Sequence, residues 1–290
     1  MQKLTQLSSS WQQWMQHNLA RGCSAESLVE SMVRENFDPL FAAASVWQLT
    51  TTGSAQLAAS APVQATQRGD YVDEAPRMPF QSRTIHTSDR DVHLTFRVAQ
   101  PAVALLDDLM SPEECDELVR LSVIKLKRST IVDPTTGREV VIDERSSDGT
   151  YFLLNENDFI ARLDRRIAEV MHWPIENGEG IQILRYGVGG EYKTHFDYFP
   201  PSDSGSQAHL AKGGQRVSTL VMYLNDVGAG GETVFPHLNL SVVPKKGSAV
   251  YFEYCNSRGQ VDARTLHGGL PVTAGEKWIA TKWMRQRRYA

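Results

Sequence analysis

His195 and Asp197 stand two residues apart in EYKTHFDYFPP, between aromatic residues and just ahead of Pro200 and Pro201. Side chains two apart on a β-strand point to the same face, so an imidazole and a carboxylate would project together. That is half of a metal site. Because the chain holds eight histidines, the H-x-D pattern alone has little specificity. A third ligand must come from a distant strand that folds back beside the first, and His209, His237 and His267 are the candidates. His209, in SGSQAHLAKGG, reads as a solvated loop histidine. His237 follows ETVFP at a turn and reads as structural or substrate-facing. His267 sits in RTLHGGLPV, where Gly268 and Gly269 allow close approach of a ligand or of backbone.

Two imidazoles and one carboxylate, with coordination positions left open, suit non-haem Fe(II). Zinc could take the same ligands, but structural zinc sites usually close with thiolates, and Cys23, Cys115 and Cys255 lie far off in sequence. Iron in this role needs a co-substrate, and a dicarboxylate would demand a cation within the fold. Lys277, ten residues after His267 between Gly275 and Trp278-Ile279, is well placed for that. A buried lysine asks for a carboxylate partner. The plainer alternative is a lysine at a strand end that snorkels to water.

The elements that must position these residues are short strands. IQILRY, YKTHFDYF, STLVMYLN, LSVVP, SAVYFEY, TLHGGLPV and KWIATKWM follow one another from Ile181 onward, and VHLTFRV precedes them. SPEECDELVRLS opens a helix with Ser111 as N-cap, Pro112 next and Glu114 at the capping-box position, and DFIARLDRRIAEVM is a second helix. Without regular βαβ alternation, this predicts an α+β barrel or sandwich flanked by helices. Residues 1–50 read as helices carrying Trp11, Trp14, Phe37, Phe41 and Trp47, with Asp38-Pro39 as an N-terminal start signal. Their apolar surface suits packing within the chain or a homodimer. Residues 51–91, rich in small and polar types, read as a linker or extended arm, which leaves 92–290 as the main domain.

A net charge of −4 argues against a nucleic-acid partner, and no run of eighteen apolar residues marks a membrane span. Three isolated cysteines form no disulfide framework, and the first residues lack the apolar core of a secretory signal. Both features lead to a cytoplasmic expectation.

YGVGGEYKTHFDY, GGQRVSTLVMYLNDVGAGGETVFP, VVPKKGSAVYFEY and RTLHGGLPVTAGEKWIATKWM, in that order, resemble the catalytic domain of the prolyl 4-hydroxylases, which are Fe(II)- and 2-oxoglutarate-dependent dioxygenases. The resemblance extends upstream to LMSPEECDELVRLS and covers roughly residues 95–290. It implies a double-stranded β-helix, or jelly-roll, barrel; the first ninety residues, with the helical N-terminal extension read from their own pattern, lie outside it. It also implies His195, Asp197 and His267 as iron ligands, with Lys277 binding the distal carboxylate of 2-oxoglutarate and Tyr186 and Thr233 assisting. Glu179, Tyr192, Arg216 and Trp283 match positions that line a peptide-proline groove; as plain residues they would be packing or surface groups. The implied reaction couples oxidative decarboxylation of 2-oxoglutarate, to succinate and CO2, with hydroxylation of a C–H bond by O2, and ascorbate is the expected reductant.

Two loops are candidates for covering such a site: FPPSDSGSQAHLAK (199–212) and DPTTGREVVIDERSSDG (133–149). Three readings remain at this point. The first is a hydroxylase of peptidyl proline. The second is a hydroxylase of a free or carrier-bound cyclic amino acid such as proline or pipecolate, which would need a cation for the substrate carboxylate; Arg216 could serve either reading. The third is a non-catalytic metal- or ligand-binding barrel, which the presence of all three ligands and Lys277 disfavours.

Overall fold

The computed structural model describes residues 71–133, 135, 138–140 and 145–289, together with scattered positions between 3 and 46. Two compact units result, Met1–Gly69 and Asp70–Ala290. In the first, helix α1 (Ala25–Arg34) supplies Leu28 and Met32 to a small core with Met15, Phe37, Ala42 and Val46. Trp11 packs edge-on against Trp14 and Phe37, with ring centroids 4.9 and 5.0 Å apart. Asp38 caps the next helical turn by accepting from Phe41 N at 3.1 Å, as the Asp-Pro signal predicts. Trp47 and residues 51–70 of the expected arm lie outside the described residues.

In the second unit, residues 71–78 already have fixed partners. Glu253 accepts from the backbone N–H groups of Arg77 and Met78 and pairs with the Arg77 guanidinium at 2.9 Å. This strap borders a cavity of about 380 Å³ lined by Tyr71, Trp173, Cys255 and Asp262, which holds none of the candidate site residues.

Helix α2 (Pro112–Ser122) starts as its sequence dictates. Ser111 Oγ accepts from Glu114 N at 3.2 Å, and Glu114 Oε2 accepts from Ser111 N at 3.0 Å. Helix α3 (Asp158–Met171) is capped by Asn157 and buries Ile160, Leu163, Ile167 and Val170. Helix α4 (Ser206–Ala211) is a short turn within the 199–212 loop.

The strands in chain order are β1 (Thr84–His86), β2 (Asp91–Val98), β3 (Val103–Asp107), β4 (Lys127–Arg128), β5 (Ile131–Val132), β6 (Glu139–Val140), β7 (Asp148–Phe152), β8 (Ile181–Tyr186) and β9 (Tyr192–His195). They continue with β10 (Arg216–Tyr223), β11 (Ala229–Gly230), β12 (Thr233–Phe235), β13 (Leu240–Val242), β14 (Ala249–Glu253), β15 (His267–Gly269), β16 (Val272–Ala274) and β17 (Lys277–Arg285). Nine form one antiparallel sheet in the order β1-β2-β3-β14-β10-β17-β8-β7-β4, and four form a second, β13-β12-β15-β9. The two sheets share a core. Phe235 of the smaller sheet meets Phe252 of the larger with centroids 5.1 Å apart, and Phe252 reaches His267 at 4.5 Å. This is the expected α+β double-stranded β-helix flanked by helices. No helix among the described residues is long and apolar enough to cross a membrane.

Strand β17 organises the interior. It lies between β10 and β8, is buried along its whole length, and directs alternate side chains to opposite faces. Lys277, Ile279, Thr281, Trp283 and Arg285 therefore share one face, and Trp278, Ala280, Lys282 and Met284 the other.

Candidate active site

The three proposed ligands converge. His195 ends β9 and pairs in register with His267 at the start of β15. Gly268 permits this approach, since a Cβ there would lie 3.1 Å from both Thr194 N and Tyr192 O. Asp197 corrects the strand argument: β9 stops at His195, and Asp197 sits at a bend beyond it. The alignment comes from tertiary placement. Asp197 Oδ1 is 3.6 Å from His195 Nε2, and Oδ2 is 3.6 Å from His267 Nε2. One ligand atom from each residue lies within 4.8 Å of the others, close enough to share one cation.

The tautomers fit a metal. His195 Nδ1 faces Lys193 O at 2.8 Å, and His267 Nδ1 faces Thr265 O at 3.0 Å. A carbonyl only accepts, so each Nδ1 carries the proton and each Nε2 keeps its lone pair toward Asp197. His209 and His237 are elsewhere. His209 lies in α4 with its ring stacked on Phe199, centroids 5.0 Å apart, so the solvated-loop reading is corrected. His237 is exposed on the turn Pro236–Leu238.

Lys277 is 3% exposed, which excludes the snorkelling alternative. Among the described residues, no carboxylate or other acceptor lies within bonding reach of its ammonium. Its Nζ is 5.7 Å from the Tyr186 ring centroid and 5.9 Å from that of Tyr223, and a Cβ on Gly269 would lie 3.5 Å from it. The ammonium thus rests against β15, two residues from His267. Tyr186 is its direct partner across β8, and Thr233 Oγ1 accepts from Tyr223 OH at 2.8 Å. Burial lowers the Lys277 pKa to about 8, with Glu232 opposing through space.

The four groove candidates fall into two groups. Arg216 grips Glu179 with both ends of its fork, Nε to Oε1 at 2.7 Å and Nη2 to Oε2 at 2.8 Å. Its guanidinium lies 3.8 Å from the Trp283 ring centroid, and its Nη1 donates to Asp197 O at 3.3 Å. Trp283 Nε1 is buried without an acceptor among the described residues. Tyr192 stands apart from this trio, stacked on His195 at 3.7 Å, with the Arg145 guanidinium 4.8 Å from its ring.

Known proteins with these features agree. The sequence profile of the 2OG-Fe(II) oxygenase superfamily matches residues 181–285. Prolyl 4-hydroxylase 1 of Arabidopsis thaliana is 43% identical over 202 residues, covering 64% of this chain and 70% of that protein. Prolyl 4-hydroxylase 5 of the same plant is 34% identical over 209 residues, with 66% and 70% covered. The viral collagen prolyl hydroxylase of Paramecium Bursaria Chlorella virus-1, solved with 2OG, is 30% identical at a TM-score of 0.50, covering 63% of this chain and 95% of that one. This chain belongs to the prolyl 4-hydroxylase family.

It is accordingly an Fe(II)- and 2-oxoglutarate-dependent oxygenase, and the reading as a non-catalytic barrel falls. In this family member the charges around the candidate metal position are suitably set. Burial works against ionised Asp197, but the two imidazoles and Arg216 outweigh it and hold the carboxyl well below its usual range. Burial lowers the His267 pKa to about 4, against the pull of Asp197, so the imidazole is neutral at pH 7, as a ligand must be. Burial opposes ionisation of Glu179, but Arg216 and Arg285 together outweigh it, and the carboxylate stays charged. Tyr192 is pushed up to about 12, chiefly by burial, and remains a neutral phenol.

Four supporting residues escaped the sequence reading. Thr219 donates to Asp197 Oδ2 at 2.6 Å and contacts Tyr254 OH at 2.9 Å; a threonine inside an apolar strand gives no signal of this. Arg145, in the segment expected to cover the site, donates to Gln182 Oε1 at 3.0 Å and to Thr130 O at 2.7 Å. Gln215 holds Phe199 through both backbone groups, at 2.8 and 2.7 Å, and so fixes the start of the 199–212 loop. Arg285 is the fourth. The arginine beside Gln215 was legible, but the glutamine itself was not.

Proposed function

We propose that this enzyme hydroxylates prolyl residues within a peptide or protein, consuming O2 and 2-oxoglutarate and releasing succinate and CO2. His195, Asp197 and His267 would hold Fe(II), which when bound supplies the oxygen-activating chemistry. Lys277 takes the distal carboxylate of 2-oxoglutarate, with the Tyr186 phenol and the Thr233 hydroxyl as further donors. Thr219 and the two backbone carbonyls orient the ligands. Arg216, Glu179 and Trp283 form one wall for the substrate and Tyr192 another, where stacked aromatic rings exclude water. Ascorbate serves as reductant.

The observation that carries this reading is the buried, unpaired Lys277 ammonium, set two residues from His267 along β15. A charge so placed needs an anion, and a dicarboxylate co-substrate provides one. A polypeptide is favoured over a free cyclic amino acid because Arg216 is already committed. Glu179 takes Nε and Nη2, and the Asp197 carbonyl accepts from Nη1, so the guanidinium charge is already matched by a buried carboxylate and most of the fork is engaged. The names of the plant and viral relatives point the same way.

The test is succinate formation with Fe(II), ascorbate and air, across proline peptides, free proline and pipecolate, with mass spectrometry of each. Succinate coupled to the gain of one oxygen atom on a peptide is the expected result. Coupling only to a free imino acid would overturn the polypeptide assignment.

A further inference from the structure

Arg285 ends β17 at 1% exposure, on the same strand face as Lys277 and Trp283. Its Nε lies 3.4 Å from Glu179 Oε1, yet Glu179 already gives both oxygens to Arg216. Two buried guanidinium groups thus share one carboxylate, and Arg285 Nε and Nη1 have no hydrogen-bond partner among the described residues. The acceptors that Arg285 does have come from the 199–212 loop. Arg285 Nη2 donates to His209 O at 2.6 Å and to Lys212 O at 2.7 Å, the carbonyls at the end of α4. Lifting that loop would leave the guanidinium without these acceptors, a costly state for a buried cation.

The loop is bounded by special backbone at both ends and packed within. Pro200-Pro201 stiffen its entry, and Gly213 and Gly214 at its exit hold φ of +75° and +76°, a region that favours glycine. Inside it Phe199 stacks on His209. Beyond Arg285, it is tied to the second covering segment through Ser204 Oγ, which donates to Thr135 O at 2.9 Å.

We propose that Arg285 is a positioning residue that clamps the 200–212 segment against the Glu179–Arg216–Trp283 cluster and thereby sets the grip on a polypeptide substrate. The effect on substrate rests on the prolyl-hydroxylase reading given above; the clamp does not. Arg285 touches neither the candidate metal ligands nor the Lys277 pocket. It acts through the loop, and through Glu179 on Arg216, whose Nη1 reaches Asp197 O.

The test compares the full chain with its Arg285→Gln and Arg285→Lys variants, first without peptide. Amide exchange of residues 206–214 and tryptic cleavage after Lys212 should quicken about tenfold in Arg285→Gln, with β10 exchange unchanged. Arg285→Lys keeps the charge but reaches fewer carbonyls, so it should fall between; it also carries the test if the Gln variant does not fold. With a proline peptide, the peptide KM should rise about tenfold while the KM for 2-oxoglutarate holds. Wild-type exchange in both variants would overturn the clamp, as would quickening spread evenly through the barrel. A loss confined to acidic peptides, with loop exchange unchanged, would make Arg285 a substrate contact instead. A loosened loop in an enzyme that hydroxylates no peptide would support the clamp and sink the prolyl reading.

Discussion

Two lysines on β17, five residues apart, are almost equally buried and meet opposite surroundings. Lys282 is 1% exposed and faces α3, where its Nζ lies 2.6 Å from Asp164 Oδ1. The other Asp164 oxygen accepts from Asn155 N at 2.9 Å, and Gly178 leaves room for the lysine stem, since a Cβ there would lie 2.7 Å from Lys282 Cε. Lys277, on the barrel-interior face, has no such partner among the described residues. Burial lowers the pKa of both ammonium groups, but at Lys282 the Asp164 carboxylate opposes it at contact distance. A buried lysine with its own carboxylate is architecture. One without a carboxylate is half of a ligand site.

The comparison breaks most visibly at Asp164. Asp164→Ala turns Lys282 into a second Lys277, with no ligand to relieve it, and should cost about 3–5 kcal/mol of stability. Denaturant unfolding measures this. The double variant Asp164→Leu/Lys282→Met should recover most of the loss, because a well-packed apolar pair can replace a buried ion pair. A loss well under 1 kcal/mol in Asp164→Ala would mean that Lys282 finds water, and burial alone would then not separate the two lysines.

At the other end, Lys277→Met should raise the 2-oxoglutarate requirement by about 100-fold, since the co-substrate carboxylate loses a buried cation. The same change should stabilise the protein free of co-substrate, by up to roughly 3 kcal/mol, because it removes a charge the fold does not pair. Thermal melting with and without 2-oxoglutarate reads both effects. Opposite signs for stability and binding are the signature of a ligand site. Destabilisation in both conditions would assign Lys277 to the architecture, beside Lys282.

Little of this contrast was legible in the sequence. Lys277 stands out because it lies ten residues after His267 at the start of the next predicted strand, whereas Lys282, in the same KW context five residues later, raises no question. Alternation along a strand assigns opposite faces but does not say which face holds a helix with an aspartate. That partner, Asp164, is 118 residues away in sequence. The barrel, the capping box at Ser111 and the His195–His267 pairing followed from local patterns and motif order. Asp197 reached its place by a bend that H-x-D spacing does not encode, and Thr219, Gln215 and Arg285 act through contacts that only the folded chain creates.

The contrast sharpens with pH. The folded Lys277 pKa of about 8 lies below its ordinary 10.5, so between these values the unfolded chain binds more protons. The sign is therefore positive: stability from this group rises with pH across that window, and its cost is fully present below pH 8. The stability advantage of Lys277→Met over wild type should be largest below pH 8 and fade toward pH 10.5. Binding of 2-oxoglutarate moves the opposite way and weakens as the ammonium deprotonates. A stability difference that does not change with pH would show that Lys277 is charged at no cost.

The smallest expected effect tests where the ligand site ends. Thr233 accepts the Tyr223 proton, which leaves its own hydroxyl hydrogen free to donate into the Lys277 pocket. Thr233→Val should raise the 2-oxoglutarate KM by about fivefold, the loss of one hydrogen bond to a charged group. It also strands the buried Tyr223 hydroxyl, at about 1–3 kcal/mol of stability. Thr233→Ser, which keeps the hydroxyl and drops only a methyl, should restore the KM. A serine variant that stays weak for 2-oxoglutarate while melting like wild type would mean the hydroxyl does not donate to co-substrate. The ligand site would then narrow to the Lys277 ammonium and the Tyr186 phenol, and Thr233 would belong with Lys282 among the groups the fold has already satisfied.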